Sequence, residues 1–316
     1  SRKRARIGSI EPTVRTVPRY STTAGDDAVT MGATAGLVAD EWQANVLRDA
    51  LGERADGRWA ANEVGLIVPR QNGKNSVVEI RELAGLTVFG EKLIMHTAHE
   101  VKTALRAFKR ILELFEGTPE LAAKLKRVSH VNGAEGIELK NGAELKFLAR
   151  SKGSGRGFTG DLIILDEAYA LTDAHNEALI PAMSARANSQ VWYTSSPSLD
   201  AISGAALMRI MARGQAGNSR GLAYFGWGAP RDTDLDDREW WYRTNPALGI
   251  RITMEAVERE REAMSNEGFG RERLGIWPLD GQQWGIITEA AWSAAVGEWG
   301  AHSSQVAFAV EVAMDR

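Results

Sequence analysis

The 316-residue chain contains no cysteine. Disulfides, thiolate metal sites and thiol nucleophiles are thereby excluded, so any chemistry rests on oxygen and nitrogen groups, and a reducing cytoplasm is the compartment this composition suits. Long hydrophobic runs are missing as well. None approaches the roughly 20 residues that a membrane-crossing helix needs, so membrane insertion is not expected. The basic opening Ser1-Arg-Lys-Arg-Ala-Arg6 runs into Gly8-Ser-Ile-Glu-Pro12 rather than an apolar segment, which gives a secretory leader no support. Strong net charge is also absent. The 38 Lys and Arg against 41 Asp and Glu leave −3, so a nucleic-acid partner would have to be held by a local basic surface and not by the overall field. What is present is the 44% hydrophobic and 25% charged content of an ordinary folded protein, long enough for one large α/β domain with a smaller appendage.

The pattern along the chain divides it into four parts. Residues 1–39, with Pro12, Pro18 and a basic start but no sustained period, read as a basic N-terminal arm in extended conformation. Residues 40–220 read as a core in which strands and helices alternate. A helix is predicted from Asp40 to Leu51, a strand over Glu63–Val68, a helix over Asn75–Leu86, a strand over Lys92–Thr97 and an amphipathic helix over Glu100–Glu116. Such alternation argues for a parallel sheet with helical crossovers. Asn141-Gly142, flanked by alternating residues from Ile137 to Phe147, predicts a β-hairpin. The runs Leu162–Leu165 and Gln190–Thr194 predict further strands. Residues 221–290, rich in Trp and charge, read as a small helical lid or linker, and 291–316 as the truncated start of another domain, with a strand at Val306–Val312.

Chemistry concentrates in the segment Pro69-Arg70-Gln71-Asn72-Gly73-Lys74-Asn75. It lies between a predicted strand and a predicted helix, where backbone N–H groups and a helix N-terminus can cradle phosphate oxygens and Lys74 can supply charge to the β- and γ-phosphates of a nucleotide. The general phosphate-loop pattern is met only in part. Val68 stands where the first glycine belongs, and Asn75 where a Mg²⁺-binding hydroxyl belongs, with Ser76 one position late. Taken alone, Gly-Lys is more often a turn with an exposed lysine. The four apolar residues ending in Asp166-Glu167 supply the usual partner: Asp166 can hold Mg²⁺ and Glu167 can polarise a water toward the γ-phosphate. Without the loop, the same pair would read as a helix cap.

Together, Trp42-Gln43, Arg70–Lys74, Thr97-Ala98, Gly155-Arg156-Gly157, Leu162–Ala168, Thr194–Pro197, Trp241–Gly249 and Arg271–Trp277 resemble the large subunits of tailed-bacteriophage terminases. The resemblance runs from about residue 40 to the C-terminus. It implies an α/β fold of the P-loop NTPase type, with a helicase-like (ASCE) parallel-sheet core and a small helical lid. In that family an arginine-led loop replaces the glycine-led one, so Val68 is expected, whereas Asn75 remains a departure.

The resemblance further implies roles for individual residues. Gln43 would read the adenine edge, and Arg70 would lie against the phosphates, with Gln71, Asn72, Gly73, Lys74, Asn75 and Ser76 forming the nucleotide cradle. Arg156 would be an arginine finger reaching a neighbouring subunit, and Thr194 and Ser195 would couple hydrolysis to movement. Glu311 would be a remnant of a nuclease metal site, and nuclease activity is not expected from this chain. ATP and Mg²⁺ are the implied cofactors. Double-stranded DNA, a portal protein, a terminase small subunit and a ring of like subunits, a pentamer on the procapsid, are the implied partners in the host cytoplasm. A helicase-like DNA-remodelling ATPase and a nucleotide-binding assembly scaffold with impaired hydrolysis stand as alternatives. The basic residues Lys102, Arg106, Lys109, Arg110, Lys124, Lys126 and Arg127 are candidate DNA contacts without a recognisable binding motif.

Overall fold

The computed structural model describes residues 6–150, 159–172, 177, 186–198 and 205–277. Their centre is a nine-stranded sheet built from β1 (Val14–Thr16), β4 (Glu63–Ile67), β5 (Leu93–Ala98), β6 (Leu125–Ser129), β7 (Glu135–Leu139), β8 (Glu144–Ala149), β9 (Leu162–Leu165), β10 (Gln190–Ser195) and β11 (Leu222–Gly226). Two short strands, β2 (Thr22–Thr23) and β3 (Gly52–Glu53), pair separately. The order across the large sheet is β1-β11-β4-β10-β9-β5-β8-β7-β6. Strands from β11 to β8 run parallel, while β1 at one edge and the β7–β6 hairpin at the other are antiparallel.

The parallel strands are apolar almost throughout because helices cover both faces. Alternation within β9 distributes its side chains: Leu162 and Ile164 join one core cluster, Ile163 and Leu165 the other. The first face packs α1 (Gly25–Thr34), α2 (Glu41–Ala50), α3 (Lys74–Thr87) and α4 (Val101–Gly117); the short α5 (Pro119–Ala122) adds Leu121 to the same cluster. The second face packs α6 (Ala205–Ala216) through Leu207, Ile210 and Met211. A third, smaller cluster of Trp241, Leu248, Ile252, Val257, Phe269 and Leu274 holds α7 (Arg238–Thr244), α8 (Met254–Ala263) and α9 (Asn266–Leu274) together. These three helices lie within the stretch 221–290 that the sequence reads as a lid or linker, and form a helical subdomain.

Two sequence expectations are corrected. The segment read as an extended arm contributes β1 and α1: β1 adds to β11 as an edge strand, and α1 packs on α2 and α3. Its buried stripe consists of Gly25, Ala28 and Gly32, small residues that give little hydrophobic signal but allow close approach of backbones. A Cβ added at Gly25 would stand 2.3 Å from Arg48 Cα, and one at Gly32 would stand 2.6 Å from the Ile80 side chain. Secondly, Leu222–Gly226, placed by sequence in the lid, is a fully buried core strand between β1 and β4. Its short aromatic run is masked in sequence by the charged, Trp-rich stretch that follows. The stretch Ser151–Phe158, with Gly155, Arg156 and Gly157, and the predicted strand Val306–Val312 with Glu311 lie outside the described residues.

Candidate functional site

Strand order brings the site together. Because β10 lies between β4 and β9, the C-terminal ends of three parallel strands open side by side, the usual place for a ligand in such sheets. Tyr193 pairs with Leu165 and Thr194 with Leu66. Thr194 therefore stands level with Asp166, the residue after Leu165, and faces the loop that leaves β4. That loop ends at Gly73, whose φ of +95° is reached at no steric cost only by glycine, and α3 begins at Lys74.

Lys74 Nζ forms a short ion pair with Asp166 Oδ1 and lies 3.3 Å from Thr194 Oγ1. Thr194 Oγ1 donates to the same Asp166 oxygen at 2.7 Å. Burial by itself would favour the protonated acid, but the Lys74 ammonium, His96 and the Thr194 hydroxyl outweigh it and hold Asp166 well below the usual carboxylate range. The carboxylate is thus kept charged beside Lys74. Behind it, His96 Nδ1 and Glu82 Oε1 are 2.6 Å apart and buried. Burial opposes charge on His96, yet the Glu82 carboxylate prevails and its pKa is raised above the ordinary imidazole value.

Glu167 adopts a left-handed backbone, φ +53°, unusual for a residue with a Cβ. Its carboxylate rests at the start of α4, accepting from Thr103 Oγ1 at 3.0 Å and from the Glu100 N–H at 3.3 Å. Arg150 fixes this turn from below. Its guanidinium donates to the carbonyls of Asp166 at 2.6 Å, Glu167 at 2.9 Å and Thr97 at 3.0 Å, and to the Thr97 hydroxyl at 3.0 Å. Burial pulls the Arg150 pKa down to about 10, against the opposing pull of Asp166, Glu167 and Tyr169. Sequence reasoning passed over Arg150 because a cation at the end of a half-exposed strand reads as solvated.

The remaining loop residues are held from the other side. Asn72 is fully buried: its amide donates to Pro69 O at 3.0 Å and to Asn245 Oδ1 at 3.1 Å, and its own Oδ1 accepts from Ala247 N at 3.0 Å. Arg251 donates to Asn72 O at 2.9 Å and pairs with Asp40, while Arg273 donates to Arg70 O at 3.2 Å and to Gln71 Oε1 at 3.1 Å. Gln71 also has a left-handed φ, +64°. Asn245, Arg251 and Arg273 all belong to the helical subdomain; the resemblance over Trp241–Gly249 and Arg271–Trp277 hinted at Asn245 and Arg273, and nothing in the sequence singled out Arg251.

The expected site residues are therefore not all gathered at one point. Gly73, Lys74, Asp166 and Thr194 converge. Gln43 touches the loop, Nε2 donating to Gly73 O at 2.7 Å and Oε1 accepting from Asp40 N at 2.8 Å. Arg70 pairs with Glu272 of the helical subdomain at 3.3 Å. Ser195 Oγ donates to the Ser196 carbonyl, and Ser76 N–H to Gly73 O. Asn75 lies on the rim of a cavity beside Asp166.

No protein-family model and no curated protein matches the chain. Solved structures do. The large terminase of bacteriophage HK97 is similar with 21% identity and a TM-score of 0.67 over 81% of this chain and 56% of that one. The chain thus spans little more than half of the HK97 protein. The large-terminase ATPase domain of Thermus phage P74-26 is similar at 18% identity and TM-score 0.53, over 78% of this chain and 97% of that domain. A large terminase from a thermophilic bacteriophage, in complex with ADP, is similar at 12% identity and TM-score 0.51, over 82% of this chain and 54% of that one. The nine-stranded, mostly parallel sheet with its helical layers is the α/β, P-loop NTPase-like fold of phage large-terminase ATPase domains.

Proposed function

We propose that the chain is the ATP-hydrolysing motor part of a tailed-phage terminase large subunit, which drives double-stranded DNA into a procapsid. The observation that carries this reading is the convergence of Lys74, Asp166 and Thr194 at the ends of adjacent parallel strands, with Glu167 next in the chain. The likeness to the thermophilic-phage terminase in complex with ADP supports a nucleotide as the ligand.

Ser76 N–H donates to Gly73 O, but the N–H groups of Lys74 and Asn75 at the start of α3 have no acceptor within the helix and, with the Gly73 turn, suit phosphate oxygens. On ATP binding, Lys74 exchanges its ion pair with Asp166 for the β- and γ-phosphates. The vacated carboxylate fits a divalent cation, since it already faces an ammonium there; Asp166 would hold Mg²⁺ directly and Asn75 would reach it through a bound water. When bound, that ion neutralises charge developing on the transferred phosphoryl group. Glu167 accepts a proton from the attacking water, and Arg150 keeps the Glu167 backbone in place. Thr194 Oγ1, within reach of both Lys74 and Asp166, loses the lysine contact when Lys74 moves to the phosphates.

Arg156 as an intersubunit finger, the portal and small-subunit partners, the subunit ring and the procapsid location belong to the same proposal. So does the DNA surface, although several candidate cations are already paired: Lys102 with Glu100 at 2.7 Å, Lys126 with Glu138 at 2.6 Å and Arg127 with Glu138 at 3.4 Å. The decisive experiment is ATP turnover of Glu167→Gln. Loss of a proton acceptor lowers the rate by about 10²–10⁴-fold while ATP binding persists; hydrolysis at the wild-type rate would remove the reading.

A further inference from the structure

Helical spacing places Asn75, Glu79 and Glu82 on one face of α3. These three residues, with Asp166, His96 and Thr103, line a cavity of about 260 Å³ between α3 and α4, large enough for several waters. Its acidic walls alone would mean little. Glu79 is occupied by Arg110 at 3.5 Å. The deeper pair differs: Glu82 and His96 are only 1% and 3% exposed, they bind each other through Oε1 and Nδ1, and their other polar atoms, Glu82 Oε2 and His96 Nε2, are buried with no hydrogen-bond partner. A buried carboxylate oxygen without a partner is costly, so the cavity suits a polar occupant. Because the cavity also opens on Asn75 and Asp166, its occupant meets the position where a nucleotide's cation belongs.

Resting on the ATPase reading, we infer that Glu82, oriented by His96, is an outer-shell anchor for the nucleotide's divalent cation, holding it through its bound waters. Mg²⁺ gives up its waters reluctantly and is commonly held by one or two carboxylates plus phosphates. Outer-shell groups orient such ions. At Asn75 no hydroxyl enters the inner sphere, so one more water stays on the metal and Glu82 accepts a hydrogen bond from the water network that fills the cavity. His96 Nδ1 on Oε1 leaves Oε2 facing those waters. Asn75 and Glu82 thus form one device, in which carboxylate-held water stands in for the missing hydroxyl.

The test uses Mn²⁺ as the probe, with the full chain loaded with ADP. Free Mn²⁺ measured by electron paramagnetic resonance should show an affinity reduced about tenfold or more in Glu82→Gln, while metal-free ADP affinity stays within twofold of wild type. Restoring the hydroxyl with Asn75→Ser in the Glu82→Gln chain should recover most of the loss. Unchanged Mn²⁺ affinity in Glu82→Gln, or an equal loss of metal-free ADP affinity, would overturn the inference. A second measurement avoids Glu82 in case that variant does not fold: electron-nuclear double resonance in ¹⁷O-water should count one fewer Mn²⁺-bound water in Asn75→Ser than in wild type. An equal count overturns the inference and means that the cavity holds structural water only. If the wild-type chain binds no ADP, the ATPase reading has failed; if it binds ADP and Mn²⁺ but Glu82 is silent, only the outer shell has.

Discussion

Lys74 and Asn72 are near neighbours in the same loop, yet different parts of the molecule hold them. Lys74 is anchored to the sheet through Asp166 and Thr194, whose positions follow from parallel strand pairing. Asn72 is anchored to the helical subdomain through Asn245, Ala247 and Arg251. The sheet end resembles any phosphate site. The other end explains how a loop can dispense with a leading glycine: the side chain of Asn72 and the guanidinium of Arg273 satisfy backbone groups, and the left-handed Gln71, a conformation that costs about 1–3 kcal/mol, is held by surrounding contacts. One end is fixed by the core, the other by a subdomain with a separate hydrophobic cluster.

Breaking the sheet end should have the largest effect. Lys74→Met leaves Asp166 buried without its ammonium, which should destabilise the fold by about 3 kcal/mol, read by chemical denaturation. The pH dependence follows in sign. Asp166 has a depressed folded pKa, so its contribution is present above the ordinary carboxylate range and is lost as pH falls toward the depressed value. In Lys74→Met that acid-dependent loss should shrink, and an unaltered acid limb would show that the pair contributes no stability.

Arg150→Met comes next. It strips donors from the Asp166, Glu167 and Thr97 carbonyls at a cost of about 2 kcal/mol, and turnover should fall by more than ATP affinity does, because the base is displaced while the cradle survives. Equal losses in both would mean that Arg150 only supports the fold.

At the subdomain end, Asn72→Ala and Asn245→Ala should each destabilise by about 1–2 kcal/mol and be non-additive by about 1 kcal/mol, since they share one hydrogen bond. Additive losses would show that the subdomain does not clamp the loop through this pair. The smallest effect belongs to Arg70→Ala. Its own side chain is 57% exposed, so solvent screens the pairing with the more buried Glu272 and the melting temperature should shift by the equivalent of less than about 1 kcal/mol. ATP affinity should also fall less than in Asn72→Ala; a larger fall would return Arg70 to the phosphates.

Where a local pattern was enough, the sequence could be read directly. The Gly73-Lys74 turn, the Asn141-Gly142 hairpin and the Leu162–Leu165 strand leading to Asp166 each follow from residue conformational preference or apolar run length. The α1 stripe of Gly25, Ala28 and Gly32 was not legible, because small residues signal closeness only when a partner helix is known. Nor was β1, a three-residue edge strand held by backbone hydrogen bonds that carry no side-chain signature.

By itself, then, the sequence determined the alternating α/β order, the Gly73-Lys74 turn between strand and helix and the apolar strand that runs into Asp166-Glu167. These rest on periodicity and on chemistry confined to a few consecutive positions. Only the tertiary structure decided that Gln43 faces Gly73, that Arg70 turns toward Glu272, that Arg150 carries the Glu167 turn and that Asn245 reaches Asn72. Hydrogen bonds between residues far apart in the chain depend on where the strands and the helical subdomain come to rest, and no local pattern records that.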